Sequence, residues 1–223
     1  MTEDGRRPRR PDRGLRAGLP LALAIGASTG GPKALLKLLA ELTLPASTFA
    51  FLVQHIHPKF TGILERRLGE VARLPVLEAE EGAIIRPGRL YLAPGGWHLI
   101  VARAGPGLYR TRLTKDPVRH GVRPSVDVLF TSVAQAFGPR AVGVVLTGMG
   151  HDGLAGARTI KARGGTVLAE SAETCVVYGM PRALAEAAVA DRLVPIDEMA
   201  AAIQKACERL TKPAGPALSP SRG

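Results

Sequence analysis

Residues 24–39, AIGASTGGPKALLKLL, combine the end of an apolar strand, a glycine-rich turn and the start of a helix. Ile25 and its neighbours suit a buried strand. Pro32 stands at the helix mouth, where a missing N–H costs little. Leu35, Leu36 and Leu39 then follow at helical spacing. This βα unit sets the fold class, but its glycines allow two uses. They can hold a dinucleotide pyrophosphate, or they can lift Ser28 out of the chain as a nucleophile.

The same alternation continues along the chain. TFAFLVQHI (48–56) is a second apolar run, and KFTGILERRLGEVA (59–72) a helix expected to bury Phe60, Ile63, Leu64 and Leu68. RLYLAPGGWHLIVARAGPGLYRTRLT (89–114) breaks the pattern with short strands between Gly/Pro turns, as antiparallel hairpins do. PSVDVLFTSVAQAFG (124–138) restores a helix with Val126, Leu129, Phe130 and Val133 on one side. RAVGVVLTGMG (140–150) is another buried strand, and DGLAGARTIKARG (152–164) a helix ending at glycine. Repeated βα units predict a three-layer α/β/α domain. Its sheet should be mostly parallel and doubly wound, with an antiparallel hairpin section at one edge. Sites in such folds gather at the carboxyl ends of strands, which singles out Gly26–Gly31, Gln54–Pro58 and Thr147–Gly153.

Of the 223 residues, 46% are hydrophobic but only 4% aromatic, so an aliphatic core is expected. No apolar run approaches the roughly 20 residues of a membrane span, and no secretory signal is visible. Cys175 and Cys207 make no disulfide framework. A cytoplasmic protein without membrane insertion follows as the expectation. The net charge of +11 is concentrated in part in an Arg-, Pro- and Gly-rich opening segment. Residues 1–18 are therefore expected to be a disordered basic arm and 211–223 a Pro/Ser-rich tail, flanking one folded domain over 19–210. The arm reads as a solubilising tail; nucleic-acid binding is not expected, for want of stacking aromatics or a recognised module.

The glycine turn is decided by its company. A dinucleotide fingerprint wants a second glycine where Ser28 stands, and an acidic residue for the ribose at the end of the second strand, where Gln54 and His55 stand. The same letters fit G-x-S-x-G over Gly26–Gly30, a sharp turn exposing a serine hydroxyl. The plainer reading makes Ser28 a helix N-cap. A nucleophilic serine needs a base and the base an orienting group. His55, His57, His98, His120 and His151 are the available imidazoles. His55, ending the second strand, and Asp152, opening a helix after LTGMG, converge best with Ser28. Asp152 can alternatively serve only as a helix cap. The order Ser28, then Asp116 or Asp127, then His151 would match the α/β-hydrolases, but Asp116 falls in a loop and Asp127 inside a predicted helix.

Six blocks, IGASTGGP, QHIHPKFT, YLAPG, HGVRPSVDVLF, LTGMGHDGLAG and CVVYGMPR, resemble in order the catalytic domain of the CheB-type protein-glutamate methylesterases of bacterial chemotaxis. The resemblance spans nearly all of the folded part. It implies a serine hydrolase that cleaves glutamate methyl esters on the cytoplasmic helices of chemoreceptors, releasing methanol, and in many members also deamidates glutamine. It implies no metal or cofactor. Carried over by position, Ser28 is the nucleophile, His55 the general base and Asp152 its orienting group, with Thr29 and Met149 supporting the site and its oxyanion hole. Arg86, Arg119 and Arg123 are candidates to meet acidic receptor surface, and Trp97 a rim contact. Two departures stand out. The basic arm occupies the place where the family commonly has a phosphorylatable receiver domain, so either control by phosphorylation within this chain is in doubt, which makes a separate receiver-domain protein a candidate regulator, or the sequence is part of a longer protein. His151 and His57 replace a common asparagine and proline, and are read as surface substitutions.

Overall fold

The computed structural model describes residues 20–211; the arm and the tail lie outside the described residues, apart from Thr211. Among the described residues, ten strands and six α-helices follow one another. They run β1 (Leu21–Ala27), α1 (Gly31–Glu41), β2 (Thr48–Gln54), α2 (Thr61–Val71), β3 (Val76–Glu78), β4 (Ile84–Ile85), β5 (Arg89–Leu92), β6 (His98–Gly105), β7 (Leu108–Thr114), α3 (Val126–Phe137), β8 (Ala141–Val145), α4 (Leu154–Ala162), β9 (Thr166–Glu170), α5 (Met180–Glu186), β10 (Arg192–Val194) and α6 (Ile196–Thr211). Seven strands form one sheet in the order β10-β9-β8-β1-β2-β5-β3. All its pairings are parallel.

The central strand explains why the sheet has helices on both faces. Leu21, Leu23 and Ile25 of β1 point into a core shared with α1, α2 and α6. Ala22 and Ala24 point into a second core with α3, α4 and α5. With every residue of β1 buried, neither face can meet water. The first core is almost purely aliphatic. The second gathers the aromatics, with Tyr109 stacked on Phe137 at a centroid distance of 4.3 Å.

The three-layer expectation holds, with two refinements. The antiparallel section, β4-β7-β6, is a small sheet of its own, anchored to α3 where the Val101 N–H donates to Ser132 Oγ at 3.1 Å. RLYL, expected within the hairpins, instead enters the main sheet parallel to β2 as β5, because Leu90, Tyr91 and Leu92 are all buried there. In α2, Leu64 and Leu68 face inward as expected, but Phe60 and Ile63 are exposed.

Candidate active site

β1 has β2 on one side and β8 on the other. Helix α1 leaves it toward one face, while α4, following β8, packs on the other. The carboxyl ends of these three strands therefore border the crevice where a doubly wound sheet reverses its order.

Ser28 follows β1 directly. The sheet ladders continue past the strand ends to hold it: Ser28 N–H donates to Thr147 O (3.0 Å) and His55 N–H to Ala27 O (3.0 Å). The nucleophile candidate and the imidazole candidate thus leave adjacent strands side by side. Gln54 clamps the pair, its Nε2 donating to Ser28 O (2.8 Å) and His55 O (3.1 Å). The N-cap of α1 is Gly30, in the left-handed region at φ 83°, and no side chain caps the helix. Ser28 is thus not spent as a cap. The neighbouring glycines serve close packing. A Cβ on Gly31 would lie 2.1 Å from Gln54 Oε1, and one on Gly148 only 2.7 Å from Ser28 Cβ.

His55 donates from Nε2 to Asp152 Oδ2 at 2.8 Å, with side chains only 10% and 2% exposed. Asp152 is indeed a helix cap, but of another helix. Its Oδ2 accepts Val126 N–H (2.7 Å), and its Oδ1 accepts Asp127 N–H (3.0 Å) and Ser125 Oγ–H (2.8 Å). These donors form the mouth of α3, whose positive end favours an anion. Burial works to raise the Asp152 pKa; the hydrogen bonds from His55, Asp127, Val126 and Ser125 outweigh it and hold the carboxyl below its ordinary value. Asp152 is then ionised, and a carboxylate only accepts, so His55 Nε2 carries the hydrogen, and in the neutral form of the ring the lone pair is on Nδ1.

Asp127 returns the favour. From the first turn of α3, its Oδ1 accepts the N–H groups of Gly153 (3.0 Å) and Gly156 (2.7 Å) at the mouth of α4, while Oδ2 meets His120 Nε2 at 2.9 Å. Each carboxylate caps the helix that carries or follows the other. His120, Asp127 and Asp152 bring ligand-type atoms within 4.8 Å of one another, but all four carboxylate oxygens already accept hydrogen bonds, so the cluster is a network joining two helix mouths.

Met149 is 76% exposed at the tip of the turn after β8. The turn is pinned by CVVYGMPR: Gly148 N–H donates to Val177 O (3.0 Å), and Met180 N–H to Gly148 O (2.8 Å). Among the described residues, the N–H groups of Thr29, Gly30 and Met149 have no backbone acceptor. Thr147 braces both sides, its Oγ1 donating to Thr29 O (2.9 Å) and its N–H to the buried Glu170 Oε2 (2.8 Å).

The other histidines divide. His57 is exposed and caps a short 3-10 turn, its Nδ1 accepting Lys59 N–H at 3.3 Å. His151 is exposed, with its ring 4.3 Å from that of His120. Arg123 is drawn inward by carbonyls, Nη1 donating to Lys115 O (2.8 Å) and Asp116 O (3.1 Å). Lys115 Nζ lies 4.4 Å over the Trp97 ring. Sequence reasoning missed Ser125 and Glu170 as parts of the site, set Asp127 aside as helical, and marked Thr147 only as the start of a strand-end segment. The serine before an apolar helical run was a usable signal for Ser125; no local signal marks Glu170.

A family model described as CheB methylesterase matches residues 23–203. A protein-glutamate methylesterase/protein-glutamine glutaminase of Moorella thermoacetica is 48% identical over 192 residues, covering 85% of this chain and 45% of that protein. One of Myxococcus xanthus is 47% identical over 190 residues, covering 85% and 54%. The crystal structure of the Thermotoga maritima CheB methylesterase catalytic domain superposes with a TM-score of 0.78 at 38% identity, covering 86% of this chain and 97% of that one. The chain spans about half the length of the curated relatives it matches.

Proposed function

The chain belongs to the CheB methylesterase family, and from that premise we propose that it is a serine hydrolase acting on glutamate methyl esters of chemoreceptor proteins. It releases methanol, and deamidates glutamine at similar sites. The observation that carries the reading is the 2.8 Å contact of His55 Nε2 with Asp152 Oδ2, beside Ser28 at the crevice. That contact leaves Nδ1 as the basic nitrogen.

The chemistry is acyl transfer in two halves. Ser28 Oγ attacks the ester carbonyl as His55 Nδ1 takes its proton. The imidazolium is stabilised by Asp152. The tetrahedral oxyanion is met by the N–H groups of Thr29 and Met149, near the positive end of α1; one such donor is worth about 10²–10³ in rate. The C–O bond to the methoxy group breaks, and methanol leaves with the proton from His55. Water, deprotonated by His55, then attacks the glutamyl-serine ester; the acyl bond to Ser28 Oγ breaks, Oγ recovers the proton from His55, and the glutamate product is released. For glutamine, ammonia is the first leaving group.

The substrate is a side chain on a protein surface, so the open position of Met149 suits it. The cytoplasmic helices of receptors are the proposed partner, with a separate receiver-domain protein as regulator, and the cytoplasm as the compartment. Among the described residues no helix is long and apolar enough to cross a membrane.

Ser28→Ala tests the reading. Methanol release from methylated receptor should fall to background, and a fluorophosphonate should no longer label the protein, while the melting temperature stays close to wild type. Release at near the wild-type rate would remove Ser28 from the mechanism.

A further inference from the structure

Of the donors around Asp152, two are backbone N–H groups fixed by α3. The Ser125 hydroxyl is different, because a serine can rotate. Two features hold the residue that carries it. Ser125 is fully buried, and its N–H donates to His98 Nδ1 at 3.1 Å. His98, at the start of β6, is 1% exposed, and its Nε2 lies 3.2 Å from Pro117 O. A carbonyl only accepts, so Nε2 holds the hydrogen; a backbone N–H only donates, so Nδ1 is bare. Geometry alone assigns His98 one uncharged tautomer with both nitrogens occupied. The small antiparallel sheet thereby reaches the back of the site.

We propose that Ser125 is a positioning residue for the hydrolysis, directing the Asp152 carboxylate at His55, and that His98 holds Ser125 in place by accepting its N–H. The inference rests on the reading of Asp152 as the group that orients His55. Protonating His98 Nδ1 would set two donors face to face and push the mouth of α3 away from Asp152. The charged groups acting on His98 are Arg123, which disfavours its protonation, and Asp152 and Asp116, which favour it; burial is the largest influence and keeps the ring below its ordinary pKa. A carboxylate that loses one donor concentrates its charge on the remaining ones and grips an imidazolium more tightly.

The test uses the full chain, with methanol release from methylated receptor and the rate of fluorophosphonate labelling, each followed against pH. Ser125→Ala should lower kcat about tenfold with KM within about twofold, as expected for one hydrogen bond to a charged group. It should also move the acid limb of the profile upward by roughly half a pH unit. His98→Leu should reproduce both effects, and His98→Asn, whose amide oxygen can accept the Ser125 N–H, should restore most of kcat. The Ser125→Ala/His98→Leu double variant should be no slower than either single one, because the two act along one path. A lowered melting temperature with kcat and the acid limb unmoved would reduce Ser125 to a structural role and overturn the proposal. Additive losses in the double variant would overturn the link through His98. If Ser125→Ala does not fold, the contrast between His98→Asn and His98→Leu decides: equal activity refutes it. Labelling that survives Ser28→Ala would instead show that the site assignment beneath the proposal is wrong.

Discussion

Replacing Asp152 by asparagine keeps the shape of the side chain and changes one oxygen into an NH₂ group. The four hydrogen bonds it accepts make the outcome calculable. With the amide nitrogen facing His55, His55 must turn over its tautomer and offer Nε2 as acceptor. The hydrogen then moves to Nδ1, where Ser28 needs a base. A serine-histidine pair in the wrong tautomer loses about 10⁴ in kcat, or about 5.4 kcal/mol of transition-state stabilisation. In that orientation Val126 N–H faces another donor; with the amide reversed, Asp127 N–H does. Either way one buried N–H at the mouth of α3 is orphaned, costing about 1–3 kcal/mol. For a domain of this size that lowers Tm by roughly 2–12 °C. Methanol release and a thermal melt measure the two effects together. The stability gap to wild type should persist above about pH 4 and close below it. Asp152 has a depressed folded-state pKa, so its contribution is present above the unfolded value, 3.8 for an ordinary aspartate, and is lost as pH falls through the folded one. Turnover within tenfold of wild type, with Tm lowered as calculated, would refute the tautomer reasoning: either the amide oxygen still faces His55 or Asp152 is a helix cap and nothing more.

Gly148→Ala places a methyl 2.7 Å from Ser28 Cβ and 2.4 Å from Met180 Sδ, and Met180 is itself fully buried, so Ser28 must shift. Turnover should fall about 10²-fold from the misplaced nucleophile, and unaltered kinetics would contradict the crowding. Gly156→Ala sets a methyl 2.5 Å from Phe130 Cβ and 3.0 Å from Asp127 O, so α3 and α4 must part at a cost of about 1–3 kcal/mol. Urea unfolding should show that loss and esterase assays a parallel drop; a stability loss without a rate loss would uncouple helix spacing from the site. His98 is held below the ordinary imidazole pKa of 6.5, so the unfolded chain binds its proton first on acidification. Stability conferred by His98 should therefore be full above about pH 6.5 and decline below it. His98→Asn should flatten that slope in denaturant titrations, and an unchanged slope would locate the proton uptake elsewhere.

The parts of the site that the sequence made legible are those at strand ends within short blocks. Ser28, His55 and Asp152 each follow an apolar run, and parallel topology leaves such residues together at one rim. What stayed hidden depends on packing between helices. Asp152 was readable as a cap, but local rules assign a cap to the helix that follows it, whereas this carboxylate reaches across to α3. Asp127 looked unavailable inside a helix; it lies in the first turn, where a side chain can still bend toward a neighbouring helix mouth. Phe60 and Ile63 fitted an apolar stripe on α2, yet the helix begins only at Thr61 and turns Leu64 and Leu68 inward, which leaves the other two outside. RLYL in β5 is short and bounded by turns, so periodicity could not distinguish a hairpin strand from a parallel one; burial of its neighbouring residues on both faces made that choice.

Because the two acidic groups are exchanged between α3 and α4, neither helix can fray at its start without releasing the other. A transient local opening there would unseat the hydrogen-bond acceptor of His55 at the same moment. The arrangement works as an interlock: conformers loosened in this region are automatically unarmed, so the proposed hydrolysis would require the helix pair to be closed.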